Sequence, residues 1–301
     1  MKTRREFLVN SAKFTALAVV GTSTLASLSF AAGEKGVQMQ FVTLNNGIKM
    51  PILGYGTSRI KDEKIILKAI KAGYRLIDSA QMYGNEEEVG LAVKNSGIKR
   101  EEFFITTKLS SDMSYEETLK SFELSMKKLK LDYLDLLLIH SPYSQAKQMY
   151  KAMEKLSGEG RIKALGVSNF KADFFSDFVK SCQITPAVNQ CQTHIFHQQK
   201  PLRAVMQKYG TVLESWSPFV MGKNNFFENE NLKKIAKKYN KTVAQVALRF
   251  LIEQGIIVIP KTTNEARMRE NLAVFDFALD AQDIKMLNAM DTGKSQFGWD
   301  S

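Results

Sequence analysis

The stretch LDLLLIH, residues 134–140, has four consecutive apolar residues before its final histidine. An earlier stretch, FFITTK (103–108), is likewise apolar or β-branched until a final lysine. Strands that are apolar on both faces lie inside parallel sheets, because helices cover both sides of such sheets. A polar last residue then marks the carboxyl end of the sheet, where α/β proteins carry their chemistry. The two stretches predict a buried parallel sheet with a functional site at that end.

The same alternation of short strands and longer amphipathic segments continues along the chain from Phe41, which is typical of parallel strands joined by helices. We predict eight strands, at residues 52–56, 75–79, 103–108, 134–140, 162–168, 187–192, 211–217 and 256–261. Helical periodicity predicts segments at 62–72, 85–95, 114–129, 145–158, 171–180, 198–208, 230–252 (broken near Asn240) and 264–273. The sequence FVTLNNGIKM (41–50) predicts a β-hairpin that turns at Asn46-Gly47.

Eight strands that alternate with helices predict an α/β protein with an eight-stranded parallel (β/α)8, or TIM, barrel in a single domain. The alternative is an open, doubly wound sheet with a nucleotide at its switch point. That fold favours G-x-G-x-x-G after the first strand, and LGYGTS (53–58) does not contain it. The barrel, preceded by the hairpin, is therefore the predicted fold.

The first 32 residues have the composition of an export signal. Basic residues at positions 2, 4, 5 and 13 precede or enter the weakly apolar run 15–33, which closes on small residues. We expect cleavage after Ala31 or Ala32, giving a signal peptide (1–32) and a barrel domain (33–301). The run is too polar for a stable membrane span of about 20 apolar residues. An uncleaved anchor or an amphipathic helix is the alternative.

The formal net charge is +11, so a nucleic-acid surface has to be considered. The lysine-rich stretch KKIAKKYNK (233–241) has helical spacing and lacks interleaved exposed aromatic residues, which favours a solvated helix face; we predict no nucleic-acid partner. We interpret the two cysteines, Cys182 and Cys191, as buried structural thiols. A single disulfide in an oxidising compartment is the alternative.

Four polar residues stand at or just beyond predicted strand ends: Asp78, Tyr83, Lys108 and His140. Each alone has an ordinary structural explanation, but in a barrel they converge on one rim. An ammonium about 4 Å from a tyrosine favours the phenolate by roughly 4 kcal/mol, or about three pKa units, before the cost of desolvation. Lys108 is the candidate cation, and Asp78 keeps it charged. Neutral His140 donates a hydrogen bond to the substrate oxygen.

The chain resembles the aldo-keto reductase family over nearly all of residues 40–297. The matching stretches are GYRLIDSAQMYGNEEEVG (73–90), ITTKL (105–109), LDYLDLLLIH (131–140), GRIKALGVSNF (160–170), PAVNQ (186–190), IPKTTNEARMRENL (259–272) and VFDFAL (274–279). The resemblance implies that Tyr83 is the proton donor and that NADPH is the hydride source. The other three rim residues complete the family's catalytic tetrad.

The resemblance also implies a set of cofactor-binding residues. Ser168, Asn169 and Gln190 resemble the partners of the nicotinamide carboxamide, and Trp216 stands where the family has a stacking aromatic residue. Lys261, Thr262 and Arg267 resemble the clamp on the 2′-phosphate, which favours NADPH over NADH. The remaining expected contacts are Gly56, Thr57, Asp78, Ser217, Glu270 and Asn271.

Three positions that are often aromatic in relatives are serine here: Ser58, Ser110 and Ser141. With His140 they are the predicted substrate-binding residues, and they predict a wider, wetter pocket for polar carbonyl compounds. The alternative is that Phe226, Phe227 or Trp299 refills the space. His194 and His197 lack a third ligand nearby, so we predict no metal.

The sequence TRREFL (3–8) resembles a twin-arginine signal, which by that resemblance exports proteins already folded around a cofactor. We therefore expect a periplasmic monomer, or a cytoplasmic one if no export occurs. Two functions are compatible with this: an NADPH-dependent reductase of aldehydes and ketones, and an exported nucleotide-binding redox sensor that turns over little. The intact tetrad favours the reductase, because a sensor needs only the cofactor site.

Overall fold

The structure, a computed structural model, describes residues 26–29 and 38–297. Three strands form a small antiparallel sheet in the order β1 (Ala26–Ser29), β2 (Gln38–Thr43) and β3 (Lys49–Pro51). Strands β2 and β3 are the predicted hairpin, and Gly47 in its turn has φ 84°, a backbone conformation that favours glycine. Strand β1 falls within the predicted signal peptide, most of which lies outside the described residues.

A second sheet holds eight parallel strands in sequence order. They are β4 (Tyr55–Gly56), β5 (Leu76–Asp78), β6 (Phe104–Leu109), β7 (Leu134–Ile139), β8 (Ile162–Ser168), β9 (Val188–Gln192), β10 (Val212–Trp216) and β11 (Ile257–Val258). A parallel bridge between Leu53 and Val258 joins the first strand to the last. The predicted (β/α)8 barrel is confirmed, and each strand falls on one of the eight predicted stretches, with β6 extending one residue beyond its stretch to Leu109.

Helices follow the strands and cover the outside of the sheet. They are α1 (Glu63–Ala72), α2 (Glu86–Asn95), α3 (Tyr115–Leu129), α4 (Ala146–Gly158), α5 (Ala172–Val179), α6 (Lys200–Gln207), α7 (Glu230–Tyr239), α8 (Val243–Glu253), α9 (Glu265–Leu272) and α10 (Ala281–Ala289). The helices shield the outer face of the barrel from water. Backbone pairing sets the spacing between the neighbouring strands that carry the rim residues.

Local sequence signals account for the helix ends. Asn240 has φ 52° and ends α7, and Thr242 begins α8 with a capping box to Gln245, so the predicted break near Asn240 is confirmed. Helix α10 was not among the predicted segments. Its buried residues are only Asp283 and Leu287, and such a sparse apolar face gives little periodic signal.

The lysine-rich stretch 233–241 forms ion pairs with neighbouring carboxylates. Lys233 Nζ lies 2.6 Å from Glu228, and Lys241 Nζ lies 2.7 Å from Asp276. Lys238 pairs with Asp283 at 2.7 Å on α10. These lysines therefore tie α7 and its carboxyl end to adjacent segments.

The two cysteines are both free thiols. Cys191 is buried, but Cys182 is only half-buried, so the interpretation that both are buried is wrong for Cys182. Burial raises the pKa of both thiols to about 12, which keeps them protonated and unreactive. Within the described ranges no helix is both long enough and apolar enough to cross a membrane.

Candidate active site

The structure brings the four predicted rim residues together. Asp78 is the last residue of β5, Lys108 lies near the end of β6, and His140 directly follows β7. Tyr83 closes a single 3₁₀ turn, Gln81–Tyr83, which follows β5 and returns the chain to the rim. Because these strands are neighbours in register, their carboxyl ends place the side chains around one point.

Lys108 and Asp78 form a fully buried ion pair. Lys108 Nζ donates to Asp78 Oδ1 at 2.6 Å and to the backbone oxygen of Ser79 at 2.7 Å. Burial alone would lower the pKa of Lys108, but Asp78 and Tyr83 together raise it above the ordinary lysine value. The ammonium is therefore charged at neutral pH although water does not reach it.

Tyr83 lies next to this charge. Its hydroxyl is 3.5 Å from Lys108 Nζ, and the same ammonium lies 4.9 Å from the ring centroid. Burial raises the pKa of Tyr83, and the charge of Lys108 lowers it by less, so the net direction is upward. Lys108 does favour the phenolate, as expected, but the cost of desolvation is the larger effect. The hydroxyl is consequently protonated and available as a donor.

His140 faces Tyr83 edge to face, with ring centroids 5.9 Å apart. Burial, assisted by the charge of Lys108, lowers the pKa of His140 to about 3, so the ring is neutral. Its Nδ1 lies 2.9 Å from Ser110 Oγ. Its backbone oxygen accepts a hydrogen bond from Asn169 Nδ2 at 3.0 Å, which links the tetrad to the neighbouring strand.

A fifth ionisable residue, Glu214 on β10, lies in the same buried network and was missed from the sequence. Gln190 Nε2 donates to Asp78 Oδ2 at 2.8 Å and to Glu214 Oε2 at 2.9 Å. Burial, then the charge of Asp78, raises the pKa of Glu214 to about 8, so its carboxyl is mostly protonated at neutral pH. The signal was present: TVLESWS (211–217) carries one acidic residue in an otherwise strand-like run.

The residues predicted to hold a nicotinamide lie beside the tetrad at the ends of β8, β9 and β10. Ser168 Oγ donates to the backbone oxygen of Gln190 at 2.8 Å. Asn169, in a left-handed conformation with φ 63°, accepts a hydrogen bond at Oδ1 from Trp216 Nε1 at 2.9 Å. The indole is also contacted by Phe297, 5.6 Å between centroids. Trp216 therefore both offers an aromatic face and orients the Asn169 amide.

Gly56, Thr57 and Ser217 have backbone roles. A Cβ on Gly56 would come within 2.9 Å of the backbone oxygen of Ile259, so only glycine permits this approach of the first strand to the last. Thr57 donates twice to the backbone oxygen of Asp78, from N at 3.0 Å and from Oγ1 at 2.8 Å. Ser217, at the start of the loop after β10, has φ 53°.

The predicted phosphate clamp lies after β11, at the start of α9. Lys261 and Arg267 are exposed, and neither forms an ion pair within residues 38–297. Glu265, the acidic residue of that first turn, is paired instead with Arg269 at 2.7 Å. Two cations are thus available at a helix amino terminus, an arrangement suited to a phosphate.

The other predicted residues of this region support the segment. Thr262 Oγ1 accepts from the N–H of Asn264 at 3.1 Å, and Asn264 caps the amino end of α9. Glu270 accepts from Thr242 Oγ1 at 2.8 Å. Asn271, a residue of α9 itself, is buried. The side chains of Thr262, Glu270 and Asn271 therefore support the segment that carries Lys261 and Arg267.

The three predicted substrate serines, Ser58, Ser110 and Ser141, are half-buried, each just beyond a strand end. Of the aromatic residues considered as replacements, Phe226 is fully buried against Phe196, 5.8 Å between centroids.

Phe227 packs on Phe226 at 5.2 Å and stays 41% exposed. Trp299 lies outside the described residues. Phe226 and Phe227 pack on each other within the loop between β10 and α7, and the contacts of Phe226 leave it unavailable to refill the pocket.

The two histidines considered as metal ligands use their ring nitrogens within the protein. His194 Nε2 lies 2.9 Å from Gln192 Nε2, and His194 Nδ1 accepts from the N–H of Phe196 at 3.2 Å. His197 Nε2 lies 2.8 Å from Gln199 Nε2. Among the residues that the structure describes, no group of three potential ligands is close enough to hold a metal.

The residues around the rim fit NADPH. A cleft of about 340 Å³ is lined among others by Asn169, Gln192, Trp216, Lys294 and Ser295. It contains no tetrad side chain, and Asn169 links it to the tetrad through the hydrogen bond to the backbone oxygen of His140. Trp216 offers a flat face and Gln190 a carboxamide at one end. Lys261 and Arg267 offer positive charge at the other. A dinucleotide with an additional phosphate needs these three features.

Comparison with known proteins agrees with this geometry. The sequence profile of the Aldo/keto reductase family matches residues 52–292. The chain is 43% identical over 256 residues to a glyoxal reductase of Bacillus subtilis, covering 83% of this chain and 92% of that protein. It is 38% identical over 259 residues to the methylglyoxal reductase DkgA of Escherichia coli, covering 84% and 94%.

A solved structure is similar in both fold and sequence. The aldo-keto reductase of Bombyx mori in complex with NADP superposes with a TM-score of 0.80 at 33% sequence identity. The match covers 85% of this chain and 94% of that one. Fold, rim geometry and sequence therefore lead to the same group of proteins.

Proposed function

Because this chain belongs to the aldo/keto reductase family, we propose that its barrel rim reduces aldehydes and ketones to alcohols with NADPH, with Tyr83 as the proton donor. The observation that carries the proposal is the buried chain of contacts from Asp78 through Lys108 to Tyr83. It places a permanent positive charge 3.5 Å from a protonated phenol, at the sheet edge where barrels carry out chemistry.

Each rim residue has a distinct task. Tyr83 gives its proton to the substrate oxygen as that oxygen gains negative charge. Lys108 stabilises the phenolate that remains, and Asp78 keeps Lys108 charged. Neutral His140 donates a second hydrogen bond to the substrate oxygen. NADPH, when bound, supplies the hydride for the carbonyl carbon.

The chain's own residues hold the cofactor at two ends. Gln190, Asn169 and Ser168 carry the amide and hydroxyl groups that suit a carboxamide, which both donates and accepts, and Trp216 supports a flat ring. Lys261 and Arg267 bind the additional phosphate, which selects NADPH over NADH. Gly56, Thr57, Ser217, Thr262, Glu270 and Asn271 shape and support this groove.

Small, polar dicarbonyl compounds are the substrates that this pocket suits best. Two relatives are named as glyoxal and methylglyoxal reductases. Ser58, Ser110 and Ser141 replace apolar walls with hydroxyl groups, and a wet pocket tolerates a second carbonyl oxygen better than an apolar one does. Large flat aromatic aldehydes would lose apolar contact there.

The reductase is favoured over the redox sensor for a chemical reason. A sensor needs the nucleotide site, but it does not need a charged, fully buried lysine beside a tyrosine. Burying that charge costs free energy even when it is paired. A buried charge beside a tyrosine is typical of a site that transfers a proton. The relatives named as reductases point the same way.

Export is the second part of the proposal. Residues 1–32 act as a twin-arginine signal that carries the folded, cofactor-loaded monomer to the periplasm. The barrel sheet begins at Tyr55, so it contains no residue of that signal. Cleavage after Ala31 or Ala32 would remove β1 from the small sheet and leave the β2–β3 hairpin and the barrel whole.

One experiment tests the reductase. NADPH oxidation is followed with glyoxal and methylglyoxal for the wild type and for Tyr83→Phe. We expect repeated turnover for the wild type and a loss of about 100-fold or more in kcat for the variant, with unchanged NADPH affinity. A variant that retains wild-type turnover would refute the role of Tyr83. A wild type that binds NADPH but completes at most one turnover would favour the sensor.

A second experiment tests export. Cell fractions from a host with a twin-arginine system are compared for the wild type and for Arg4→Lys with Arg5→Lys. We expect the wild type in the periplasm and the double variant in the cytoplasm. Equal distribution of the two proteins would refute the twin-arginine route. Light scattering of the exported protein measures whether it is a monomer.

A further inference from the structure

We propose that Ser110 is a positioning residue for His140, and that its hydroxyl donates to Nδ1 so that the proton of the neutral ring sits on Nε2, facing the substrate. The inference deepens the proposed function and depends on it. It gives Ser110 a role other than the substrate contact predicted from the sequence.

The backbone of the serine is held in place through Gln81. Its backbone N–H donates to Gln81 Oε1 at 3.2 Å, and Gln81 Nε2 in turn donates to Ser121 Oγ and Ser125 Oγ, both at 2.8 Å, on α3. The side-chain amide of Gln81 therefore has a fixed orientation, with its oxygen toward the rim. The site of the Ser110 hydroxyl is built by the fold and does not depend on a mobile side chain.

The Ser110 hydroxyl has three polar neighbours and only one proton. Met82 N–H donates to Oγ at 3.2 Å, which uses one lone pair. Oγ lies 2.9 Å from His140 Nδ1 and 3.2 Å from the backbone oxygen of Lys108. A hydroxyl can donate to only one of these two acceptors at a time.

Two arrangements are consistent with these distances. In the first, Ser110 donates to His140 Nδ1, and the ring proton is on Nε2. In the second, Ser110 donates to the oxygen of Lys108, and the ring donates from Nδ1 to Ser110, which leaves Nε2 without a proton.

The chemistry of the reaction selects the first arrangement. A carbonyl oxygen has only lone pairs to offer, so it is repelled by an unprotonated Nε2 and attracted by a protonated one. His140 Nε2 has no hydrogen-bond partner within residues 38–297, whereas Nδ1 is committed to Ser110. The 2.9 Å contact between Ser110 Oγ and His140 Nδ1 is a hydrogen bond in either arrangement, so the need for a donor at Nε2 decides between them.

A serine at this position gives His140 a hydroxyl partner. Where relatives often carry an aromatic residue, a serine hydroxyl here takes over the orientation of the histidine, so the substitution does more than widen the pocket. The nearby ammonium of Lys108 does not orient the His140 ring, because it donates to Asp78 and to the backbone oxygen of Ser79.

The test combines spectroscopy with kinetics. The protein has three histidines, so ring ¹⁵N chemical shifts can be assigned through His140→Gln and one further variant. We expect the wild type to show His140 with its proton on Nε2. Ser110→Ala should shift the ring toward a mixture of tautomers and lower kcat about 10-fold, since a donor to the developing charge is partly lost. Ser110→Thr keeps a hydroxyl and should retain both properties.

Ser181→Ala is the matched control, because its hydroxyl donates to the backbone oxygen of Phe178 at 2.6 Å, in the loop that follows α5. It should leave the tautomer and kcat unchanged. A wild-type His140 protonated on Nδ1 would overturn the proposal, and that measurement needs no variant.

A Ser110→Ala protein with the wild-type tautomer would overturn it as well, whatever its activity. Neither result would affect the role of Tyr83, which Tyr83→Phe tests separately.

Discussion

Lys108 Nζ lies 2.6 Å from Asp78 Oδ1, and both side chains are at most 1% exposed. Breaking a buried pair of this kind is costly, because removing either partner leaves an unpaired charge in a site of low dielectric. The barrel keeps the pair by bonding both carboxylate oxygens of Asp78, one to Lys108 and one to Gln190. The positive charge is thereby available next to Tyr83.

Lys108→Met should abolish turnover and weaken the fold. The charge beside Tyr83 is lost, so we expect kcat to fall about 100-fold or more. Asp78 would remain buried without its cation, which costs about 3–5 kcal/mol of unfolding free energy. Urea denaturation and steady-state kinetics measure the two effects. Lys180→Met is the control, because its pair with Asp177 is exposed to solvent and its loss should leave kcat and the unfolding free energy nearly unchanged.

The pH profile of kcat/KM should show no acid limb from His140 between about pH 5 and pH 7. Burial and Lys108 lower the pKa of His140 to about 3, so the ring stays neutral over that range. An inflection near the ordinary histidine pKa that disappears in His140→Gln would contradict this.

The same pKa shift affects stability. Between about pH 6.5 and pH 3 the unfolded chain binds a proton on His140 and the folded chain does not. The free energy of unfolding therefore decreases as the pH falls through this window, and above about pH 6.5 this loss is absent.

Glu214→Gln should make stability less dependent on pH. The pKa of Glu214 is raised to about 8, so from about pH 4.3 to 8 the folded chain keeps a proton that the unfolded chain releases. The unfolding free energy of the wild type therefore carries a contribution that decreases as the pH rises through this window. The glutamine variant lacks that contribution, which urea titrations at several pH values would measure.

The exposed Glu101→Gln is the matched control for this test and should follow the wild-type pH dependence. Parallel curves for the wild type and Glu214→Gln would show that Glu214 is ionised in the folded protein at neutral pH.

Arg267→Ala should weaken binding of NADPH about 10-fold and leave NADH binding nearly unchanged, because only NADPH carries the additional phosphate that a charge-assisted hydrogen bond would hold. Equilibrium titration of nucleotide fluorescence measures both affinities. Arg269→Ala on the same helix is the matched control, since Arg269 is paired with Glu265. Equal losses for both nucleotides would place Arg267 away from the phosphate.

Gly90→Ala should destabilise the fold. A Cβ on Gly90 of α2 would lie 2.0 Å from the backbone oxygen of Leu129 at the end of α3, so the two helices would have to separate, at a cost of about 3 kcal/mol. Gly158→Ala in α4 meets nothing within 4 Å and should instead stabilise by about 0.5–1 kcal/mol. Thermal unfolding of the two variants should therefore shift in opposite directions.

The sequence alone determined the order of strands and helices and the identity of the rim residues. Apolar stretches such as 134–140 report burial directly, and in a parallel barrel every strand end reaches the same rim. Asp78, Lys108 and His140 could therefore be placed together without coordinates. Helix α10 was not predicted, because too few of its residues are buried to give a periodic apolar pattern.

Tertiary structure decided how these groups act on one another. The contact between Ser110 and His140 joins residues 30 positions apart, and that between Gln190 and Asp78 joins residues 112 apart. The first contact depends on the stagger of the neighbouring strands β6 and β7, and the second crosses the barrel interior from β9 to β5. No local sequence pattern encodes either of them. The upward net shift of the Tyr83 pKa likewise required the structure. Desolvation sums over every atom packed around a group, whereas the attraction of one lysine can be estimated from a single distance.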